Sequence, residues 1–446
     1  MVFESFLGND WVMSEFTRMI MQIRNSYLCT GCGTCAGVCP TEAIKMHVFE
    51  GVYVPEIEEE KCVHCGLCVK SCPGYSVNFE DLNRKIFKRQ PEDKSLGNYL
   101  GCYIGHSNDV DTRYNSASGG IASQLLISAL ERGIINGAVV VQMKSDRPLE
   151  TEAFIARTRK QVLDASKSKY CPVTLSEALK QILKEDGKFA VVGLPCHIHG
   201  IRKAEEVCKT LKERIVLHAG LMCSHAVSFI GTEFLLEKLG INKRQVKSLS
   251  YRGNGWPGGM SVKVKDDSNV SIPLLGSLHS YWAIFSSFFF TPTRCLMCPD
   301  QTAELADISL GDAWLPELRR DRIGKSIIVT RTKIAEDILS LMSSAKAISV
   351  IAVDPAKVKQ TQGLNLKFKK DFFGTRLSIL RLFGNQTPRF DAPADRIWSP
   401  INFSRAFYPY LNIQLSSSKH IKSLLTHIPF PLFRLYFGVF KILSLV

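Results

Sequence analysis

Two cysteine runs with one spacing constrain this chain more than any other feature. Cys29-Thr-Gly-Cys32-Gly-Thr-Cys35-Ala-Gly-Val-Cys39-Pro40 and Cys62-Val-His-Cys65-Gly-Leu-Cys68-Val-Lys-Ser-Cys72-Pro73 repeat every cysteine and the proline at an offset of 33 residues. In such a run three closely spaced thiolates cap three irons of one cubane, and the fourth, before the proline, crosses to a second cubane. The spacing predicts two [4Fe-4S] clusters, one held by Cys29, Cys32, Cys35 and Cys72, the other by Cys62, Cys65, Cys68 and Cys39. Small residues between the ligands let backbone amides bend toward the inorganic sulfides. A pair of zinc ribbons fits less well, because zinc gains nothing from a third closely spaced cysteine and a proline. Residues 1–80 are therefore expected to form an α+β ferredoxin module of the two-cluster bacterial type.

Seven of the 15 cysteines lie outside these runs, and four of those stand where metal ligands commonly stand. Cys196 follows an apolar run ending in Gly193-Leu194-Pro195, Cys223 follows another ending at Met222, and Cys295 and Cys298 form a C-x2-C pair before Pro299. Loops at the ends of neighbouring parallel strands gather over one crevice, so these four thiolates can converge. A third [4Fe-4S] cluster is the expectation. A structural zinc, or unrelated buried thiols with a redox pair, remain the alternatives. Cys102, Cys171 and Cys208 have no such company and read as small hydrophobes. His197, His199, His218 and His225 read as hydrogen-bonded residues rather than ligands.

The opening residues, 1–18, contain no basic-then-apolar leader, so thiol chemistry in a reducing, cytoplasmic compartment is preferred to disulfides. No stretch of eighteen charge-free apolar residues occurs, and the run 281–290 is a buried helix or strand rather than a span. The net charge of +14 points to acidic partners: an anionic cofactor, an acidic redox partner protein or ferredoxin, or an anionic membrane surface. The basic residues are dispersed and no nucleic-acid recognition signature is present, so nucleic acid is not an expected partner.

After the first module, residues 81–96 read as a linker, with the charged stretch Asp81 to Lys94 at its heart. Beyond it the patterning is mixed α/β. Ser116-Ala-Ser-Gly-Gly120 opens a helix over 121–130, and a strand follows over 134–141. Thr174 and Glu177 form a capping box for a helix through Lys184, and strands are expected at 189–194 and 215–221. A helix over 227–239, short strands at 246–251, 260–264 and 270–274, a strand at 327–330 and a helix over 334–342 complete the body. After residue 350 the periodicity weakens, and residues 351–446 read as an appended basic and apolar C-terminal segment. Within it, His427, Arg434 and Lys441 recur every seven positions, the layout of a helix lying in a membrane surface through residues 427–446 or docked on the protein's own body.

Ser116 to Gly120 at a helix mouth is a cradle for a pyrophosphate or the polar edge of a flavin, though serine-glycine runs also cap ordinary helices. In order, Ser116-Ala-Ser-Gly-Gly120, Ser168-Lys-Tyr170, Gly193-Leu-Pro-Cys196, Met222-Cys-Ser224, Tyr251-Arg-Gly253 and Cys295-x-x-Cys298-Pro-Asp300 to Ala306-Asp-Ile-Ser-Leu-Gly-Asp-Ala-Trp314 resemble the beta subunits of coenzyme F420 hydrogenases and dehydrogenases. The resemblance assigns 97–175 to that family's N-terminal region and 176–350 to its C-terminal region, behind a fused ferredoxin module. It implies a mixed α/β flavin-binding body carrying FAD, with electrons passing between iron-sulfur clusters and a soluble small-molecule hydride carrier. By the same resemblance Ser116, Ser118, Gly119 and Gly120 line the flavin, Ser168, Lys169 and Tyr170 stand nearby, and Cys196, Cys223, Cys295 and Cys298 bind the proximal cluster. Lys169 is the cation expected near the flavin phosphate or reduced ring. The resemblance leaves the hydride partner open, and a non-catalytic relay subunit is the alternative.

Two further features carry less. Gly253-Asn-Gly-Trp-Pro-Gly258 matches G-x-G-x-x-G in letters, but Trp256 and Pro257 make a poor helix opening and strands flank it on both sides. Asp307 and Asp312 sit at a strand and are expected to bond loop amides rather than act as acid or base.

Overall fold

The computed structural model describes residues 14–275, 281–391, 399–429, 431–433 and 435–436. Its framework is one eight-stranded sheet, in the order Ile348–Ala352, Gly101–Ser107, Ser326–Thr330, Ile308–Asp312, Ile215–Leu221, Phe189–Gly193, Gly137–Met143 and Thr151–Ala156. The strands from Ile308–Asp312 through Gly137–Met143 are mutually parallel, and antiparallel strands flank them on both sides. Parallel strands covered by helices on both faces read as unbroken apolar runs, which is why Phe189–Gly193 and Ile215–Leu221 were legible from composition alone. One face packs against Ile121–Glu131 and Lys333–Ser344 through Leu125, Leu126, Ile338 and Met342. The other packs against Ser176–Lys184 and Pro195–Glu205 through Leu179, Ile182 and Ile201. Each such fully buried Leu or Ile contributes about 1.5–3 kcal/mol.

The three short strands form a separate antiparallel sheet, Val246–Ser250, Gly259–Val264 and Asn269–Pro273. The run at 281–290 begins as the helix Tyr281–Ser286. In the first module the hairpin Ile44–Phe49 and Val52–Ile57 turns at Glu50 and Gly51, both with positive φ, as a two-residue hairpin loop of this kind requires.

Three expectations are corrected. The helix Ser176–Lys184 is not opened by a Thr174 box: Leu175 is its N-cap, with no side-chain cap. The Leu175 N–H donates to the Cys32 carbonyl at 2.9 Å, so contact with the first module holds Thr174 outside the helix. The stretch expected as a linker contains most of the helix Phe79–Phe87, capped by Asn78. Its Leu82 is buried with Ile198, Ala303 and Leu305 of the body, and Phe79, Ile86 and Phe87 pack alongside.

The segment after residue 350 is likewise integral rather than appended. Helices Pro355–Lys370, Phe373–Leu382, Pro400–Ser417 and Lys419–His427 follow the last sheet strand. Leu377, Leu380 and Ile413 pack with Leu296 and Met297 of the body and Ile20, Ile23 and Leu28 of the first module in one apolar cluster. Arg389–Phe390 adds a parallel strand to Ser76–Val77. Arg434 and Lys441 of the expected heptad stripe, and the leader positions 1–13, lie outside the described residues. Among the described residues no helix is long and apolar enough to cross a membrane.

Candidate metal centres and cofactor cavity

The two cysteine runs fold alike. Gly33 and Gly66, both at positive φ, open the short helices Thr34–Gly37 and Leu67–Lys70, and Gly31 N–H donates to Cys29 Sγ at 3.4 Å. The thiols sort into two sets. Burial raises the Cys29 pKa to about 12, with Cys72 and Cys32 adding to the rise, and burial followed by Cys72, Cys32, Cys29 and Cys68 raises Cys35. In the second set burial pushes Cys68 to about 12, with Cys65, Cys62 and Cys39 adding. Cys72 is thus a neighbour of Cys29 and Cys35, and Cys39 a neighbour of Cys68. Cys65 is exposed, whereas Cys32, Cys35 and Cys72 are buried, so the second set is the outer one.

Cys196 opens the Pro195–Glu205 helix at the end of strand Phe189–Gly193, and Cys223 leaves the end of the neighbouring strand Ile215–Leu221. Cys295 lies in the tight turn Thr293–Met297, which Cys298 follows. The Cys196 thiol is raised well above its ordinary range, first by burial, then by Cys223, Cys32, Cys298 and Cys295. The four cysteines thus converge, and Cys32 among their neighbours places the inner ferredoxin set beside them. Cys223 N–H donates to Gln301 O at 2.9 Å, and the Cys298 thiol donates to Asp300 O at 3.4 Å.

The nearby histidines have partners elsewhere. His197 bridges Leu194 N–H and Val173 O, His199 lies 2.8 Å from Asp300 Oδ2, and His225 bonds Phe285 O. His218 bonds Glu205 and Asp307. Cys102 and Cys171 are buried.

A cavity of about 300 Å³ opens where the parallel strands end. Ser116, Ser118 and Gly120 line one side, Ser168, Lys169 and Tyr170 another, and Cys223 lies in its wall beside the aromatic Trp282 and Trp314. Gly119 is held behind this surface: a β-carbon there would stand 2.5 Å from Gly105 O and 2.7 Å from Ser326 N. Several donors of the 116–120 cradle are engaged within the fold. Ser116 Oγ donates to Thr112 O at 2.6 Å, Ser116 N–H to Arg113 O, and Gly119 N–H to Ser326 Oγ at 3.0 Å. Ser118 Oγ shares a hydrogen bond of 2.8 Å with Ser326 Oγ.

Lys169 is likewise committed, donating to the carbonyls of Ala165, Ser166 (2.7 Å) and Lys167 (3.0 Å). Burial lowers its pKa to about 7. It fixes the loop that walls the cavity.

Arg252 is a key residue that the motif reading did not single out. Its guanidinium donates to Tyr170 Oη at 2.8 Å, to the Ala117 carbonyl and to both Asp312 oxygens at 3.3 and 3.4 Å. Three motifs distant from it in sequence meet on this one side chain. Burial works against its charge, but Asp312 and Tyr170 outweigh it and raise its pKa. The G-x-G-x-x-G look-alike is a loop whose Trp256 Nε1 donates to Asp312 Oδ1 at 2.8 Å. Asp307 is held instead by Arg202 and His218.

An iron-sulfur module joined to a mixed α/β body with a cavity at its strand ends defines a redox protein. The comparisons make the class specific. The description "Coenzyme F420 hydrogenase/dehydrogenase, beta subunit N-term" matches residues 102–180, its C-terminus counterpart matches 186–356, and "4Fe-4S dicluster domain" matches 28–75. This chain belongs to the coenzyme F420 hydrogenase/dehydrogenase beta subunit family, with an N-terminal 4Fe-4S dicluster domain. It is 29% identical over 303 residues to the coenzyme F420 hydrogenase subunit beta of Methanothermobacter thermautotrophicus, covering 66% of this chain and 99% of that one. It is 25% identical over 379 residues to the coenzyme F420-dependent sulfite reductase of Methanocaldococcus jannaschii, covering 81% of this chain and 52% of that protein. A chain of the F420-reducing [NiFe] hydrogenase complex from Methanosarcina barkeri shares the fold, with a TM-score of 0.50 and 23% identity over 67% of this chain and 98% of that chain.

Proposed function

We propose that this chain is an iron-sulfur flavoprotein oxidoreductase in which electrons move between the ferredoxin clusters, a third [4Fe-4S] cluster and FAD, with hydride exchange to a soluble carrier. The observation that carries this reading is the shared wall: Cys223 of the four-cysteine set and the 116–120 and 168–170 segments line one cavity. The aromatic walls suit a flat ring. The buried Arg252 Nε beside this region has no protein partner.

The thiol spacing favours cubanes over zinc. Among the described residues no group of three cysteine sulfurs closes to within 4.8 Å, whereas tetrahedral zinc with bonds of about 2.3 Å draws its sulfurs to within about 3.8 Å of one another. Cys196, Cys223, Cys295 and Cys298 would hold the third cluster. Ser118, Gly120 and Tyr170 would line the flavin, Lys169 would hold the loop that bears Tyr170, and Arg252 would fix the relative positions of these segments. FAD supplies the exchange between hydride and single electrons that clusters cannot perform.

The names of the relatives make a coenzyme F420-like deazaflavin the first carrier to screen, ahead of nicotinamide, and the naming of the hydrogenase relative as a subunit supports a one-electron partner protein at the exposed Cys65 end. The C-terminal segment supports a second contact. After Asp395 it contains six Lys or Arg and no acidic residue. Leu425 and Phe433 dock on the body while Leu424, Leu432 and Leu435 are exposed, a face that fits an anionic membrane surface.

Iron, acid-labile sulfide and flavin measured on one anaerobic preparation test the main reading. About twelve irons, four per cubane, and one FAD per chain are expected. About eight irons without flavin would leave a relay subunit and overturn it.

A further inference from the structure

Beyond the family match, which ends at residue 356, two buried cations meet no carboxylate among the described residues. Lys369 and Arg376 are 2% and 1% exposed. Lys369 Nζ donates to Cys295 O at 3.3 Å. Arg376 donates to the carbonyls of Leu296, Cys298 (3.2 Å) and Lys369 (3.3 Å), and its guanidinium lies 4.2 Å over the Phe368 ring. Its Nε has no partner. Among the described residues neither cation has an Asp or Glu in ion-pair reach, whereas the adjacent Lys370 pairs with Glu304.

Burying an unpaired cation is strongly unfavourable, so negative charge must lie beside these two. The thiols of the four-cysteine set are among the groups that feel them: Lys369 acts on Cys223 and Cys295, and Arg376 on Cys298 and Cys295, while Lys369 also acts on His225. Four cysteinate ligands leave a cubane net negative, and each added electron makes it more so. A fixed cation therefore favours the reduced form.

Cations gather at the two inner sites. The outer set has the exposed Cys65, and the nearby Glu58 is already paired with Lys45 and Lys61. The inner ferredoxin set has Lys203, whose Nζ donates to Cys72 O at 2.7 Å, and Arg294, which donates to Pro73 O at 3.0 Å. The four-cysteine set has Lys369 and Arg376, with Arg294 between it and the inner set.

We infer that Lys369 and Arg376 hold the four-cysteine site at a higher reduction potential than either ferredoxin cluster, so that electrons run inward from the Cys65 end to the cavity and the chain works as a reductase of its soluble acceptor. This rests on the reading of Cys196, Cys223, Cys295 and Cys298 as a third cluster. In each transfer one electron leaves a reduced ferredoxin cluster and enters the oxidised four-cysteine site, and a low-potential one-electron donor protein replaces it. Two such transfers and one proton make up the hydride equivalent delivered to the acceptor.

The test is a potentiometric EPR titration of the full chain, purified anaerobically with its iron counted. The signal lost in Cys223→Ser is expected to have the highest midpoint of the three. Lys369→Met and Arg376→Met should each lower that midpoint by about tenfold in the reduction equilibrium, about 59 mV for a one-electron couple, without moving the other two signals. Lys369→Arg and Arg376→Lys should restore it. An unmoved midpoint with full iron, or an equal shift of all three signals, overturns the inference. If Arg376→Met loses iron because its loop carbonyls are released, Lys369→Met decides alone. About eight irons in the unmodified chain would instead remove the third cluster, and with it the reading on which the inference stands.

Discussion

Gly200 and Cys32 face each other across the seam between the ferredoxin module and the body: a β-carbon on Gly200 would stand 2.4 Å from Thr34 Oγ1 and 3.4 Å from Cys32 Sγ. Gly200 lies one turn beyond Cys196 on the Pro195–Glu205 helix, so one helix carries both a member of the fourfold set and the close approach to the inner ferredoxin set. Gly200→Ala should force Thr34 aside and cost about 1–3 kcal/mol. Gly200→Leu should in addition part the modules and slow electron passage from the outer cluster to the cavity while the iron count stays constant. Urea midpoints and stopped-flow reduction check both. Wild-type behaviour in Gly200→Ala would mean the seam is looser than this.

Lys169 makes a second prediction through its three carbonyl contacts. Removing the ammonium leaves the carbonyls of Ala165, Ser166 and Lys167 without their donor and frees the loop bearing Ser168 and Tyr170. Lys169→Met should weaken flavin retention about tenfold or more, equivalent to about 1.4 kcal/mol, with iron unchanged. Flavin fluorescence after gel filtration measures it. Full retention would place the flavin away from this loop.

The legible parts of the molecule were those written in local spacing. The cysteine runs mark the 4Fe-4S dicluster domain by their spacing, and Phe189–Gly193 and Ile215–Leu221 announce themselves because both faces of each strand are covered. What escaped is written only in three dimensions. The Leu175 cap is set by a bond to Cys32 O, which no local rule contains. The helix Phe79–Phe87 hides its apolar stripe among Glu80, Asp81, Arg84 and Lys85, so its charge reads as a linker. Lys369 and Arg376 look like any solvated basic residues until packing removes water from them. Arg252 was visible as part of Tyr251-Arg-Gly253, but its role lies in joining Ala117, Tyr170 and Asp312, and sequence distance conceals that.

His218 supplies a pH prediction away from the cysteine sites. Its Nδ1 lies 2.8 Å from Asp307 Oδ2 and its Nε2 2.6 Å from Glu205 Oε1. Burial and the nearby Arg202 oppose a charged imidazole, but Glu205 and Asp307 outweigh them and raise its pKa. Against the penalty of burial, Arg202 and His218 hold the Asp307 carboxyl well below its usual range, and the same two residues lower Glu205. The histidine's contribution is complete below its ordinary pKa of about 6.5 and fades as pH rises through the raised value. The carboxylates contribute above about pH 4 and fade as pH falls through their lowered values. The network therefore stabilises most between about pH 4 and 6.5. His218→Gln should cost on the order of 3 kcal/mol at pH 6, and the difference from the unmodified chain should shrink at pH 9. Urea unfolding at the two pH values tests this, and an equal difference at both would mean that His218 is neutral in the fold.

The C-terminal face makes the last prediction. Residues 421–436 divide into an inner side, where Leu425 and Phe433 pack with Phe234 and Phe289, and an outer side bearing Leu424, Leu432 and Leu435. Lys238 ties the segment down by donating to the carbonyls of Thr426 (2.6 Å) and Ile428, so the outer leucines are presented from a fixed platform. The sequence after Asp395 has basic residues and no acidic ones, a balance that would add attraction to anionic headgroups to the insertion of these leucines. The full chain should float with vesicles containing anionic lipid and much less with neutral ones. A triple Leu424→Ser, Leu432→Ser, Leu435→Ser variant should lose most of that flotation, because Leu425 and Phe433 still hold the segment on the body while the inserting side chains are gone. High salt should weaken the binding of the unmodified chain by screening its basic residues. Undiminished flotation of the triple variant would exclude this face as the membrane contact.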